Sequence, residues 1–460
     1  MTEKLAKLMK DVPAVRWTAL VLLASMMFFA YMFVDILSPL QAMLQTTKNW
    51  TPEAYGAYQG SETFLNVFVF FLIFAGIILD KIGVRFTALL SGTIMVIGAC
   101  LKYYAVSDAF AGSSADKFLV DFWNFFPFYD GMPSSAKMAA IGFMIFGCGV
   151  EMAGITVSKG IVKWFKGKEL AMAMGIEMAI ARIGVAAAVL ISPLMANLGG
   201  VADVSRSVLL CVILLLIGLI CFFVYFFMDS KLEKQMGESG EEPEEPFQIK
   251  DIWKILSNKG FWVIALLCVL YYSAIFPFQK YAINMLQCNL NFSAENAGFI
   301  FSVFPLGAAA ITPFLGNYLD RKGKGATMLI FGAILMVACH LVFALALPAL
   351  KGSIVGPIVA FTAIVLLGIS FSLVPASLWP SVPKLIDERL LGSAYALIFW
   401  IQNIGLFAFP NLIGKVLSAV NPGIEDPLQY NYTVPMLIFA SLGVIAFFLG
   451  IWLKGMDRRK

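Results

Sequence analysis

A chain of 460 residues that is 60% hydrophobic and only 13% charged, with 41 phenylalanines and a mean hydropathy of +0.84, falls outside the soluble and disordered classes. Its roughly 276 apolar residues, at about 20 per membrane-spanning helix, suffice for about twelve crossings of a lipid bilayer. The net charge of +4 is too small and too dispersed for a nucleic-acid face. Seven cysteines without C-x-x-C spacing and a single histidine, His340, offer no metal, haem or triad constellation, and there is no phosphate loop. The composition therefore predicts an integral membrane protein that is not an enzyme and carries no cofactor or metal.

In chain order, residues 1–16 place Lys4, Lys7, Lys10 and Arg16 ahead of an apolar run too long for a signal-peptide core, which reads as a cytoplasmic leader. Apolar runs bounded by charge predict spans near 17–44, 55–79, 86–106, 138–162, 169–195 and 207–228, an N-terminal half over 17–228. Residues 229–259 contain Gly237-Glu-Ser-Gly-Glu-Glu-Pro-Glu-Glu-Pro246, too polar to cross or pack, and read as a solvated cytoplasmic linker. Six further spans, near 261–286, 296–319, 326–348, 354–381, 391–418 and 433–454, make a C-terminal half over 260–454, and 455–460 form a cytoplasmic tail. The fold expected is all-α, with twelve transmembrane helices in two six-helix halves. Of the 33 basic residues, 23 fall in the termini and even-numbered connections, against six in the others, Lys48, Lys102, Lys117, Lys137, Arg206 and Lys351. That bias places both termini in the cytoplasm.

A repeat emerges from the loops. Gly76-Ile-Ile-Leu-Asp80-Lys81-Ile-Gly83-Val-Arg85 follows the second span, and Gly316-Asn-Tyr-Leu-Asp320-Arg321-Lys-Gly323-Lys324 follows the eighth. Both read G-x-x-x-D-[KR]-x-G at equivalent places in the two halves, which resembles the parallel-repeat layout of major facilitator transporters. The glycines are expected to allow close helix approach and a tight turn. The aspartates are expected to pair with cations and help hold the cytoplasmic side closed when the outer side is open.

Ionisable groups inside spans cost about 2.5–3.5 kcal/mol each on insertion scales, so those present mark a cavity or a partner. They are Asp35, Glu62, Glu151, Glu177, Arg182, Lys280 and Lys415. Glu151 and Arg182 stand near the middle of spans 4 and 5. One acid and one guanidinium at that depth suit a zwitterion, the acid taking an ammonium and the arginine fork a carboxylate. They equally suit a buried salt bridge that only locks the two spans. Glu177, about 140° round the helix from Arg182, is expected to face elsewhere. Asp35, Glu62 and Lys280 lie nearer the outer ends of their spans, where they suit an external gate or a proton path, and Lys415 suits snorkelling. Tyr271 and Tyr272 either line a cavity or pack in the core. Prolines 277, 305, 313, 375 and 380 concentrate broken or bent helices in the second half.

Specific strings add a resemblance. Gly149-Val-Glu151, Val162-Lys163-Trp164-Phe165-Lys166-Gly167-Lys168-Glu169-Leu170 and Met178-Ala-Ile-Ala181-Arg182-Ile183-Gly184 resemble the lysosomal dipeptide transporters called the major facilitator superfamily domain-containing protein 1 family. Leu270-Tyr271-Tyr272-Ser-Ala-Ile-Phe276-Pro277-Phe278, Leu378-Trp379-Pro380, Leu391-Gly392-Ser-Ala394-Tyr395 and Ile401-Gln402-Asn403-Ile-Gly405-Leu406 continue it into the second half. The resemblance implies facilitated transport of dipeptides by alternating access, with Glu151 on the ammonium and Arg182 on the carboxylate; Tyr271 and Tyr272, from the aromatic run of span 7, are added as expected substrate-site residues. For a eukaryotic member it further implies a lysosomal membrane and a glycosylated accessory membrane subunit; for a prokaryotic one, the plasma (inner) membrane. Glu62, the acidic linker and the aromatic segment 108–137 depart from the family pattern. A proton-coupled symporter of organic anions or peptides, with Asp35 or Glu62 carrying the proton, is the alternative.

Overall fold

Long apolar runs have one way to satisfy their backbone groups in a hydrocarbon layer, and that is to coil into helices. The computed structural model describes residues 8–236, 249–322, 324–382 and 391–457, and these are almost wholly helical. Eleven helical stretches are long and apolar enough to cross a membrane. One of them, Phe71–Val106, holds two arms joined at Gly83, whose φ of 79° turns the chain. The arm 84–106 is span 3; the arm 71–82 completes span 2 together with Pro52–Ser61 and Phe64–Phe68. Twelve crossings result. Span 1 is Pro13–Asp35, prolonged through Ser38–Leu40 and Gln41–Lys48. Spans 4, 5 and 6 are Ser134–Phe165, Leu170–Ala196 and Val204–Met236. Spans 7 to 12 are Lys259–Leu290, Ala294–Lys322, Gly325–Leu341 with its continuation to Ala349, Val355–Leu378, Leu391–Val420 and Thr433–Asp457. An even number of crossings leaves both chain ends on one face, here termed the termini face.

The discontinuous helix is not where the prolines pointed. Spans 7 and 10 run unbroken through Pro277 and Pro375, whereas span 2, without an internal proline, breaks at Glu62–Thr63 and again at Val69–Phe70, where Phe70 takes a φ of 56°. The cause is tertiary. A Cβ on Gly147 would stand 1.9 Å from the Glu62 carbonyl oxygen, so span 4 presses its backbone into the first break. Past the second break, Phe70 stacks on Trp400 of span 11, whose Nε1 donates to the Val67 carbonyl (3.0 Å).

The two halves meet along spans 2 and 11 and along spans 5 and 8. Span 3 runs antiparallel to span 4 with backbones close enough that Gly98 meets the Gly142 carbonyl, Gly149 meets Met95 and Gly160 meets Val84. Small residues permit such approach where no hydrophobic drive operates between helices in lipid.

Span 6 continues to Met236, and a short helix, Ile249–Leu256, stands within the stretch expected to be linker; the acidic string 237–246 lies outside the described residues. The extension of span 6 is held by Asp229, a fully buried carboxylate. It accepts from Lys163 Nζ (2.7 Å), Trp164 Nε1 (3.2 Å) and Tyr225 Oη (3.2 Å). Glu169, from the same string, pairs with Arg16 (2.7 Å), and Lys168 pairs with Asp11, holding that carboxyl below its ordinary range. The Trp-Phe-Lys-Gly-Lys-Glu string thus staples the start of the chain and span 6 to the termini face. Lys163 also holds Glu233 (2.8 Å), so replacing Asp229 by Ala chiefly leaves the buried Trp164 Nε1 and Tyr225 Oη without their acceptor, and is expected to lower stability by about 1–3 kcal/mol, read as a fall in melting temperature of the detergent-purified protein.

Candidate substrate site between the halves

A cavity of about 360 Å³ lies between the halves. Its walls are Met27, Tyr31, Val34 and Asp35 from span 1, Gln59, Glu62 and Thr63 from span 2, Val150, Glu151 and Gly154 from span 4, and Met178 from span 5. The second half contributes Tyr272, Phe276, Pro277 and Lys280 from span 7, Trp379 after span 10, and Phe399, Gln402, Asn403, Leu406 and Pro410 from span 11. An apolar, aromatic wall carrying a few convergent polar groups is the usual form of a small-molecule site.

Glu151 lines this cavity and Asn403 faces it from the opposite half. Arg182 is not in the wall. Its Nη1 donates across the interface to the Ala308 carbonyl (2.7 Å) and Thr312 Oγ1 (2.6 Å) of span 8, and its guanidinium lies 5.3 Å over the Phe371 ring. Nε and Nη2 make no hydrogen bond among the described residues, and the guanidinium is in electrostatic reach of the cavity tyrosines Tyr31 and Tyr272. Glu151 and Arg182 form no salt bridge with each other, so the reading of a simple lock between spans 4 and 5 does not hold. Glu177, expected to face elsewhere, is buried and in electrostatic reach of Tyr31 at the cavity edge.

The two tyrosines separate. Tyr272 lines the cavity and stacks on Phe276 (5.4 Å). Tyr271 does not reach it; fully buried, it donates its hydroxyl to the Leu329 carbonyl of span 9. Adjacent helical residues point about 100° apart, and here that step turns Tyr271 away from the cavity toward span 9.

Asp35 and Lys280 meet across the halves. Lys280 Nζ donates to Asp35 Oδ1 (2.8 Å) and the Val34 carbonyl (3.3 Å), Gln279 Nε2 donates to Asp35 Oδ2 (2.7 Å), and Tyr55 Oη donates to the Lys280 carbonyl (2.7 Å). Toward the same end, away from the termini face, Gln45 of the first half bonds Tyr430, and Asn197 bonds Glu295 (2.9 Å). The structure is therefore closed on the far face.

Two lysines counted with the loops lie inside helices. Lys102, with 0% exposure, donates to the Phe33 carbonyl (3.2 Å) and sits over the rings of Phe33 (4.0 Å), Phe143 (4.4 Å) and Tyr58 (5.2 Å). Lys137, equally buried, fastens the aromatic far-face segment through the Leu119 and Val120 carbonyls (3.0 and 2.8 Å) and Asn124 Oδ1 (2.6 Å). Only their position near span ends hinted at this, and that position equally suits a loop.

In the first loop motif, Asp80 pairs with Lys159 of span 4 (2.7 Å), Arg85 with Glu233 (2.6 Å), and Gly83 makes the turn. Lys81 is exposed. Gly76, expected to allow close helix approach, has nothing within 4 Å of a Cβ placed on it. In the second copy Lys324 precedes span 9 and is exposed; Gly323 lies outside the described residues, as do the side chains of Gly316, Asp320 and Arg321.

With this geometry in place, comparison with known proteins is informative. Residues 23–410 match the family model of the Major Facilitator Superfamily. The chain belongs to that superfamily. Major facilitator proteins are transporters, and the structure superposes on two of them. One is a bacterial homologue of the human lysosomal transporter Spinster in an inward-facing, unoccupied conformation (TM-score 0.70, 14% identity, 96% of this chain and 97% of that one). The other is the nucleoside transporter NupG (TM-score 0.68, 14% identity, 95% and 98%). Among major facilitator relatives, the lysosomal dipeptide transporter MFSD1 of Bos taurus is 29% identical over 303 residues, covering 63% of this chain and 60% of the relative. The Danio rerio protein of the same name is 25% identical over 411 residues, covering 88% and 81%. Several of the relatives are thus matched over only about three-fifths of their length.

Proposed function

We propose that this multi-pass transporter carries small zwitterions, dipeptides in particular, by alternating access between its halves. The observation that carries this reading is an acid in the cavity wall and, behind it, a guanidinium in electrostatic reach of the cavity tyrosines, neither of them in an ion pair among the described residues. Glu151 has no ion pair among the described residues, and the Arg182 fork keeps two nitrogens uncommitted. A ligand ammonium on Glu151 and a ligand carboxylate on Arg182 would complete both, with Tyr272, Phe276 and Trp379 walling the space between. The names of the MFSD1 relatives support a dipeptide. Arg182 reaches span 8 in the far-closed state, so a carboxylate drawing it toward the cavity would couple ligand binding to the contact between the halves.

The basic-residue bias supports a cytoplasmic termini face, which makes the far-closed state an inward-facing one. The bilayer would be a lysosomal membrane, with a glycosylated accessory subunit, in a eukaryotic source and the plasma membrane in a prokaryotic one.

The test is thermal stabilisation and liposome uptake across dipeptides, amino acids, nucleosides and organic anions, since a ligand of the folded state raises its stability. Dipeptides are expected to stabilise and be taken up. Glu151→Gln and Arg182→Lys should each reduce uptake by at least about tenfold, because each removes a charge-assisted or bidentate contact, while leaving the protein folded. Undiminished uptake in both variants would sink the assignment, and stabilisation by nucleosides alone would move the substrate class.

A further inference from the structure

Glu62 has no role in the reading above, yet it stands beside Glu151. Gly147, where an added Cβ would stand 1.9 Å from the Glu62 carbonyl oxygen, lies four residues before Glu151 and so on the same face of span 4. Both carboxylates line the cavity. Neither has an ion pair among the described residues, and the neighbouring charges are committed. Lys280 of span 7 holds Asp35 of span 1 (2.8 Å), and Lys102 of span 3 is bound to the Phe33 carbonyl and three rings. The remaining ionisable groups facing the pair are Tyr31 and Tyr58, Cys148 beside Glu151, Glu177 of span 5 and Tyr272 of span 7; span 11 brings the amides Gln402 and Asn403.

A second observation concerns those amides. Tyr55 spends its one hydroxyl proton on the Lys280 carbonyl, so its oxygen can only accept from Gln59, which must offer Nε2 (2.8 Å). Gln59 Oε1 is thereby left without a partner, on a residue only 3% exposed that lines the cavity. Asn403 Oδ1, on a residue 2% exposed, is likewise unpartnered. Two carboxylates and two orphaned amide oxygens thus border the cavity, with the Asn403 amide in hydrogen-bonding reach of Glu151. Buried acceptors are costly until a donor enters.

We propose that the Glu62–Glu151 pair carries one proton in the ligand-free protein, and that the ammonium of the substrate replaces it, so that each zwitterion crosses in exchange for one proton. Two like charges carried on closely packed backbones and facing one cavity hold a proton between them. The carboxyl O–H breaks, its proton passes to the water of the open side, and the ammonium takes up the same oxygens. Proton and ligand cannot occupy them together. This rests on the zwitterion reading and departs from the facilitated passage that the family resemblance implies.

The test is calorimetric titration of the purified protein with alanyl-alanine in buffers of different ionisation enthalpy. Wild type is expected to release about one proton per ligand, and Glu62→Gln to bind without release. No release in wild type, or equal release in Glu62→Gln, overturns the proposal. Should alanyl-alanine not bind at all, the substrate reading fails and the pair is judged on the ligand-free protein by infrared spectroscopy. A protonated-carboxyl stretch present in wild type and lost in both Glu62→Gln and Glu151→Gln supports it. Absence of that band in wild type, or its persistence unchanged in both variants, overturns it. Loss of folding in Glu62→Gln is controlled by Glu62→Asp, which keeps the acid and is expected to retain both the band and the release.

Discussion

Asp35→Asn is expected to drive the protein out of its far-closed state. The Asp35 carboxylate accepts from Lys280, Gln279 and Ser38 in a site where both ion-pair side chains are almost fully buried. Removing one partner of such a pair leaves the other charge buried and alone, at a cost of about 3–5 kcal/mol. That cost falls on the closed state only, because opening the far face hydrates Lys280. A penalty of about 3 kcal/mol shifts the closed-to-open ratio by roughly a hundredfold. Cysteine labelling at far-face positions should accelerate accordingly. The double variant Asp35→Asn with Lys280→Gln removes both charges and is expected to be milder than Asp35→Asn alone. A single variant no more accessible than wild type would show that the ion pair does not hold the face shut.

Gly56→Ala is the second large effect, and it acts through sterics alone. Spans 2 and 11 touch backbone to backbone at the far end. A Cβ on Gly56 would stand 2.4 Å from the Pro410 carbonyl oxygen and 2.8 Å from Tyr281 Oη, and one on Gly414 would stand 2.4 Å from the Pro52 carbonyl oxygen. Helix backbone cannot give way as a flexible side chain can, so one methyl holds the halves apart. Overpacking of this kind costs about 1–3 kcal/mol where neighbours can shift and more where they cannot. Each half keeps its own core, so the protein should fold while uptake falls by at least about tenfold, with the far face trapped open. Gly76→Ala, where a Cβ meets nothing within 4 Å, serves as the control and should transport normally. Equal uptake in Gly56→Ala and Gly76→Ala would exclude close approach of spans 2 and 11 from the transport cycle.

Both predictions concern residues whose importance is unequally visible in the chain. Asp35 and Lys280 announce themselves, since charges inside apolar runs need a reason to be there. Their partnership does not, because 245 residues separate them and nothing along the chain encodes which helix faces which. Gly56 is one of 38 glycines, and Gly76, inside a repeated motif, looked the better candidate for close packing. Glu151 and Arg182 were legible as a pair at one depth, but salt bridge and open site were indistinguishable until the second half supplied Ala308 and Thr312 to the guanidinium. The break in span 2 carried no proline to mark it, being made by Gly147 and Trp400 from elsewhere in the fold.

Hydropathy by itself determined that this chain crosses a bilayer about twelve times, and the twin loop motifs determined that it does so in two like halves. Both are properties of single segments, imposed by a solvent that tolerates no unpaired backbone. Only the tertiary structure decided that Asp35 latches onto Lys280, that Tyr272 faces the cavity and Tyr271 does not, that Lys102 is caged by aromatic rings, and that Glu62 and Glu151 border one cavity. Each of these depends on how far one helix is rotated against another. A single residue step turns a side chain by about 100°, and that rotation is set by packing between segments the sequence keeps apart.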